Sequence, residues 1–172
     1  MSERSLDAKV VDHNGQRLAV VRLYGPIGWP NGFTSSQFID SLHQLPTYDV
    51  LYVVFESSGG SGVDAWLIHS FLTTDHAREH RSLVLITGEC SGAAILVALG
   101  FERILMRPES SLCFRPVTFI RPAATRRVSE VIARLTAKRT GSSVENVLGW
   151  MDKNRKLSAK DCLELSLCSA IV

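Results

Sequence analysis

Two short turns carry the residue types from which a reaction site could be built. One is Gly59-Gly60, within Ser57-Ser-Gly-Gly-Ser-Gly62; the other is Cys90-Ser91-Gly92. Each follows an apolar run that reads as a strand and opens a segment that reads as a helix. A helix N-terminus offers unpaired backbone N–H groups and a partial positive charge, and glycine lets a backbone approach a ligand closely. In a parallel sheet the turns at the carboxyl ends of adjacent strands come together. Two convergent amides beside a serine would make an acyl-transfer site, with an oxyanion hole and a nucleophile. The same spacing also suits two tight turns with no chemistry.

A serine needs a base, and the distribution of histidines bears on that. All five, His13, His43, His69, His76 and His80, precede Ser91. His69 would sit roughly 10 Å along its helix from the N-terminus, at ~1.5 Å per residue, which makes it a poor base. His76 and His80, four apart beside Asp75 and Glu79, read as a solvated helix end or a metal pair. Other motifs fit worse. Gly60-x-Gly62-x-x-Ala65 matches a dinucleotide fingerprint by letter, without the acid that should follow. Gly88-Glu-Cys-Ser-Gly92 misses a nucleophile elbow because Cys90 holds its centre. Cys90 as nucleophile would also lack a base.

The elements that must position these turns alternate. Arg17–Tyr24, Val50–Phe55 and Leu83–Thr87 are β-branched apolar runs that predict strands, the latter two buried on both faces. Thr34-Ser-Ser-Gln37 has capping-box spacing ahead of Phe38, Leu42 and Leu45. Val63, Leu67 and Phe71, with Ile68 and Leu72, predict the inward face of the next helix. Gly88–Ser91 is expected to turn the chain into an apolar helix, Gly92–Leu99. Arg103–Met106 and Leu112–Phe114 read as short strands and Thr125–Arg139 as a helix. Ser142-Ser-Val-Glu145 and Ser158-Ala-Lys-Asp161 cap two more. The alternation predicts an α/β fold with a mostly parallel sheet.

The chain's 172 residues, 45% hydrophobic and 21% charged, suit a single domain spanning 1–172 and exclude a disordered tail or a rod. A net charge of +2 calls for no nucleic acid. Glu89 and several glycines interrupt the most apolar stretch, so no membrane span is expected. The N-terminus carries no visible secretory signal. Cys90, Cys113, Cys162 and Cys168 fit no metal spacing and read as free thiols in the cytoplasm.

Taken in order, these segments resemble the ClpP family of serine peptidases, its phage-type branch most and the signal peptide peptidases (SppA) more distantly. Tyr24-Gly-Pro-Ile-Gly28 is similar to the family's first strand and turn. Glu56-Ser-Ser-Gly-Gly-Ser61 is similar to its Asn-Ser-Pro-Gly-Gly-Ser/Val loop, and Ser91-Gly-Ala-Ala to its Ser-Met-Gly-Ala helix. Arg139-Thr-Gly-Ser-Ser, Arg155-Lys-Leu-Ser-Ala159 and the tail from Glu164 to Val172 follow in register. The resemblance implies a ClpP/crotonase-like spiral of repeated β-β-α units. It puts Ser91 at the nucleophile position and the Gly60 and Gly92 amides at the oxyanion hole. Arg115 stands at the triad histidine position and Asn154 at the triad aspartate position. Arginine stays protonated and only donates, so Arg115 is no base.

The reading that follows is a ClpP-like peptidase homologue, inactive or impaired, serving as a ring subunit or scaffold. One alternative is an active serine endopeptidase in which Lys138, within one residue of the SppA lysine, is the base. Another is a crotonase-type acyl-CoA enzyme, for which the chain is short. No metal and no cofactor are expected. The resemblance further implies a homo-oligomeric ring, a heptamer or stacked double ring, with an ATP-driven unfoldase or an active paralogue as partner. The family's ring–ring helix corresponds to Thr125–Arg139. Here residues 116–140 hold Arg121, Arg126, Arg127, Arg134, Lys138 and Arg139 against Glu130 alone. They form either a solvated basic face or a redesigned, weakened ring contact.

Overall fold

A computed structural model describes residues 6–28, 30–74, 76, 79–117 and 122–172, with residues 122–125 described by backbone only. The chain opens with a hairpin, β1 (Leu6–His13) against β2 (Gln16–Tyr24), with Leu6 opposite Leu23 and His13 opposite Gln16. Its two-residue turn is Asn14-Gly15, with φ of 50° and 80°. Positive φ at both positions is what a tight hairpin needs to match the strands' twist, and Asn-Gly supplies it.

From β2 onward the sheet is parallel, adding β3 (Val50–Ser57), β4 (Arg81–Ser91), β5 (Arg103–Met106) and β8 (Ala170–Ile171) in the order β1-β2-β3-β4-β5-β8. The expected mostly parallel α/β sheet is thus present. Leu51, Val53, Phe55, Val84 and Ile86 are fully buried, as their continuous apolar runs require. The helices α1 (Ser35–His43), α2 (Gly62–Thr73), α3 (Ala93–Leu99), α4 (Pro122–Thr140) and α5 (Val144–Asp152) pack in succession, each against the next. The short α6 (Ala159–Glu164) lies on β7 (Lys156–Ser158) and β8. The capping box at Thr34 and Gln37 forms as the spacing predicts, and Ser158 with Asp161 forms another.

Two expectations are corrected. Gly88–Ser91 is the end of β4, not a turn. Phe55 faces Ile86 but Ser57 faces Cys90, so three residues of β4 oppose Glu56 alone. The irregularity lets β4 leave β5 and pair instead with β6 (Ser111–Cys113), which pairs with β7. Glycine at 88 permits the close approach: a Cβ there would lie 2.4 Å from the Glu56 carboxyl carbon. The second correction concerns α2. Its buried face is Ala65, Ile68, His69 and Leu72, while Val63 and Leu67 point outward with Trp66. A helix whose apolar residues spread around its axis gives no periodicity by which to choose its inner face.

Candidate active site

Four chain segments converge on one cavity of about 340 Å³. The β3–α2 turn contributes Ser58, Gly59 and Gly60. The β4–α3 junction contributes Ser91, Gly92 and Ala93. The segment after β6 contributes Arg115, Pro116 and Val117, and the residue pair after α5 contributes Asn154. The fold therefore brings together Ser91, Gly60, Gly92, Arg115 and Asn154. Lys138 does not line the cavity; it lies exposed on α4.

The β3–α2 turn is fixed by its backbone. Gly59 N–H donates to Ser57 Oγ (3.1 Å), and the Gly59 carbonyl accepts from Ile27 N–H (2.8 Å). Ser61 N–H donates to the Ile27 carbonyl (2.8 Å), and the Ser61 hydroxyl caps α2 by accepting from Asp64 N–H. A Cβ on Gly59 would stand 2.6 Å from the Ser91 carbonyl oxygen; one on Gly60 would stand 2.2 Å from that of Ile27. Both glycines have positive φ, 92° and 137°. Only glycine meets both demands. Between these anchored neighbours, the Gly60 N–H has no acceptor among the described residues.

Ser91 is fully buried and its Oγ has no hydrogen-bond partner. Gly92 follows at φ 54° and ψ −120°, a conformation open to glycine, and its N–H donates to the Cys113 carbonyl (3.1 Å). The second amide assigned to the oxyanion hole is therefore already engaged. Arg115 is half-exposed. Its Nε donates to Cys113 Sγ (3.2 Å) and its Nη2 lies 3.5 Å from Glu89. That hydrogen bond, the Cys113 sulfur and the Glu89 carboxylate all raise the guanidinium pKa further, so the group is a permanent cation.

Asn154 has a local structural role. It closes α5 at φ 49°, its N–H donating to the Met151 carbonyl (3.0 Å) while Arg155 N–H donates to that of Trp150 (2.8 Å). This is a Schellman cap with asparagine in the left-handed position. The Arg155 guanidinium lies 4.6 Å from the Trp150 ring centre. Asp152, the other acid nearby in sequence, is exposed at the end of α5.

None of the five histidines lines the cavity. His69 is buried and its Nδ1–H donates to the Leu96 carbonyl (3.0 Å). His76 and His80 stack on Tyr48. Cys90 is also excluded as a nucleophile: burial, then Cys162 and Glu89, push its thiol far above its ordinary pKa. Among the described residues no group of three or more His, Cys, Asp or Glu is placed to hold a metal ion.

Two participants escaped the sequence reading. Glu89 pairs with Arg115 at the cavity rim and with Lys156 (3.7 Å) beyond it, and Cys113 holds both Arg115 and Gly92. A lone carboxylate inside the apolar run Ser82–Phe101 was the available signal for Glu89. No sequence signal marks the Cys113 carbonyl.

No protein-family model matches the chain, and no curated protein matches it. Solved structures do. ClpP1 from Listeria monocytogenes superposes with a TM-score of 0.72 at 23% identity, over 89% of this chain and 90% of that one. An asparagine-to-aspartate mutant of the same protein gives 0.70 at 22%, over the same shares. A peptidase from Plasmodium falciparum gives 0.68 at 14%, over 89% and 94%. The fold is ClpP-like. Within it, the Ser91 cavity occupies the junction where the sheet's strands β3 and β4 end, and the chemistry there must be judged from this chain's own atoms.

Proposed function

We propose that this chain is a ClpP-like serine peptidase homologue with impaired or absent peptidase chemistry, acting as a ring subunit or scaffold in the cytoplasm. The observation that carries the reading is the unpartnered Ser91 Oγ, with no histidine on the cavity and a permanently charged Arg115 at its rim. Serine attack requires a base to take the hydroxyl proton. With the Gly92 amide spent on Cys113, only the Gly60 amide remains to face a developing oxyanion. Neither the Lys138 reading nor the acyl-CoA reading gains a specific observation.

Assembly is supported by the exposed stripe on α2. Val63, Trp66 and Leu67 are 60%, 44% and 46% exposed at i, i+3 and i+4. Trp66 also lines a hollow of about 440 Å³ with Val128 and Val131 of α4. Apolar faces of this kind are commonly covered by another chain, and a second copy in a homo-oligomeric ring would cover this one. The α4 charge is smaller than its sequence suggests. Arg139 turns inward and donates to the carbonyls of Leu99 (3.2 Å) and Phe101 (2.8 Å), and Arg126 pairs with Glu130 (3.0 Å). Arg121 lies outside the described residues. An ATP-driven unfoldase or an active paralogue would be the partner of such a ring.

The test is covalent labelling with a fluorophosphonate alongside hydrolysis of fluorogenic peptides. Neither signal should exceed that of Ser91→Ala. Labelling or hydrolysis that this substitution abolishes would overturn the reading.

A further inference from the structure

We propose that the Ser91 cavity binds the carboxylate end of a peptide and holds it uncleaved; this rests on the impaired reading above. In a working serine peptidase, negative charge appears at such a site only briefly. Here the rim carries a fixed cation, which favours a standing anion over a transient one. Three donors are available. Ser91 is fully buried and its hydroxyl has no partner. The Gly60 N–H has no acceptor among the described residues. Arg115 uses Nε on Cys113 and Nη2 on Glu89, and its Nη1 has no partner among the described residues. A buried donor without an acceptor is costly, so a bound oxyanion that accepts from Ser91 relieves that cost, while the exposed Gly60 N–H offers it a second, solvent-facing donor.

The surroundings choose among anions. Glu89 lies 3.5 Å from Arg115 and 3.7 Å from Lys156, so these three groups leave one net positive charge beside the cavity, enough to match one negative charge but not two. A singly charged carboxylate suits it better than a phosphate dianion. One wall is short and apolar, made by Ala93, Pro116 and Val117, with Ala93 and Val117 1% and 2% exposed. At about 340 Å³ the space has room for a carboxylate and the chain end behind it, with a small apolar side chain against the Ala93, Pro116 and Val117 wall. A chain terminus ending in alanine or valine presents that combination, and a free inorganic ion leaves the walls uncovered.

The experiment titrates the full chain with N-acetyl-Ala-Ala, with its C-terminal amide and with inorganic phosphate, following backbone amide NMR shifts. The free acid should bind at least tenfold more tightly than the amide, with shifts at Gly60, Ser91 and Arg115. Arg115→Gln should erase that preference, Arg115→Lys should keep part of it, and Ser91→Ala should weaken the acid alone. Equal binding of acid and amide, or no binding by either, overturns the inference while leaving the impaired reading intact. Phosphate binding as tight as the acid overturns the peptide-end assignment in favour of an unspecific anion site. Cleavage of longer peptides or fluorophosphonate labelling at Ser91 would overturn the impaired reading itself, and with it this inference.

Discussion

At Ser91 a fully buried hydroxyl faces a cavity rimmed by a guanidinium; beside Tyr48, two imidazoles are stacked away from any nucleophile. His76 is 3% exposed, with both ring nitrogens unpartnered, 5.0 Å centre to centre from His80. Tyr48 lies 6.0 Å from the first ring and 4.4 Å from the second, and Phe71 lies 5.8 Å from His76. The serine region is held by backbone hydrogen bonds and glycines with positive φ. The histidine region is held by ring packing and by keeping the buried His76 imidazole neutral. A serine peptidase needs the contents of both in one place. Their separation shows that neither a serine in a prepared turn nor a supply of histidines makes an active site without contact between them.

The largest expected effect is at the backbone that builds the serine region. Gly59→Ala puts a methyl 2.6 Å from the Ser91 carbonyl at a φ of 92°. Relieving that clash must shift β4 or the turn itself, at a cost of about 3 kcal/mol or more. Urea denaturation should show the loss. A cost under about 1 kcal/mol would mean that the two turns are not locked together, and that the cavity is less well built than its geometry indicates.

The next effect belongs to the histidine region and has a definite sign. Burial first, and then the neighbouring His80, lower the pKa of His76 from its ordinary 6.5 to about 4. Between those values the unfolded chain takes up a proton that the folded chain refuses. The folded state therefore has its full stability above pH 6.5 and loses it as pH falls toward 4. At ~1.4 kcal/mol per tenfold change in protonation, His76 should account for about 2 kcal/mol lost between pH 7 and pH 5. His76→Phe keeps a ring against Tyr48 and should remove that part of the slope, while losses from carboxylates such as Asp64 remain. An unchanged slope would show that His76 is solvated in the native state, and the contrast between the two regions would weaken.

Much of the serine region was legible because glycine punctuation, β-branched runs and capping spacings are local. Gly59, Gly60 and Gly92 announced the turns, and Thr34 with Gln37 announced α1. The resemblance placed Ser91, Arg115 and Asn154 together, and the cavity contains all three. What was not legible depended on contacts distant in sequence. The bend in β4 arises because Glu56 opposes three residues, which no window of β4 alone reveals. The inner face of α2 is chosen by α1, α3 and α4, since its own apolar residues are spread around the helix. The hairpin of β1 and β2 was a different kind of miss: Asn14-Gly15 is a local signal, masked by the charges that alternate along β1. The engagement of the Gly92 amide by Cys113 joins β4 to β6 through one carbonyl and has no signature in side-chain identity at all.

The smallest predicted effect asks whether Asn154 is kept for the cap it makes or for the cavity it lines. Its left-handed φ of 49° suits glycine at least as well as asparagine, and its N–H bond to Met151 survives any change other than proline. Glycine removes the side chain's strain but gains freedom in the unfolded chain, and the two effects oppose each other. Asn154→Gly should therefore change stability by no more than about 0.5 kcal/mol, whereas Asn154→Val, β-branched at positive φ, should cost about 1–2 kcal/mol. Thermal melts of both variants measure the difference. If valine is tolerated as well as glycine, the cap is not what fixes this position, and its place on the cavity becomes the better reason for the residue. If glycine matches the parent in stability and in its preference for the free acid over the amide, position 154 serves α5 alone, through its backbone conformation. The ligand contacts then fall to Ser91, Gly60 and Arg115, which narrows the serine region's chemistry to the three donors already facing the cavity.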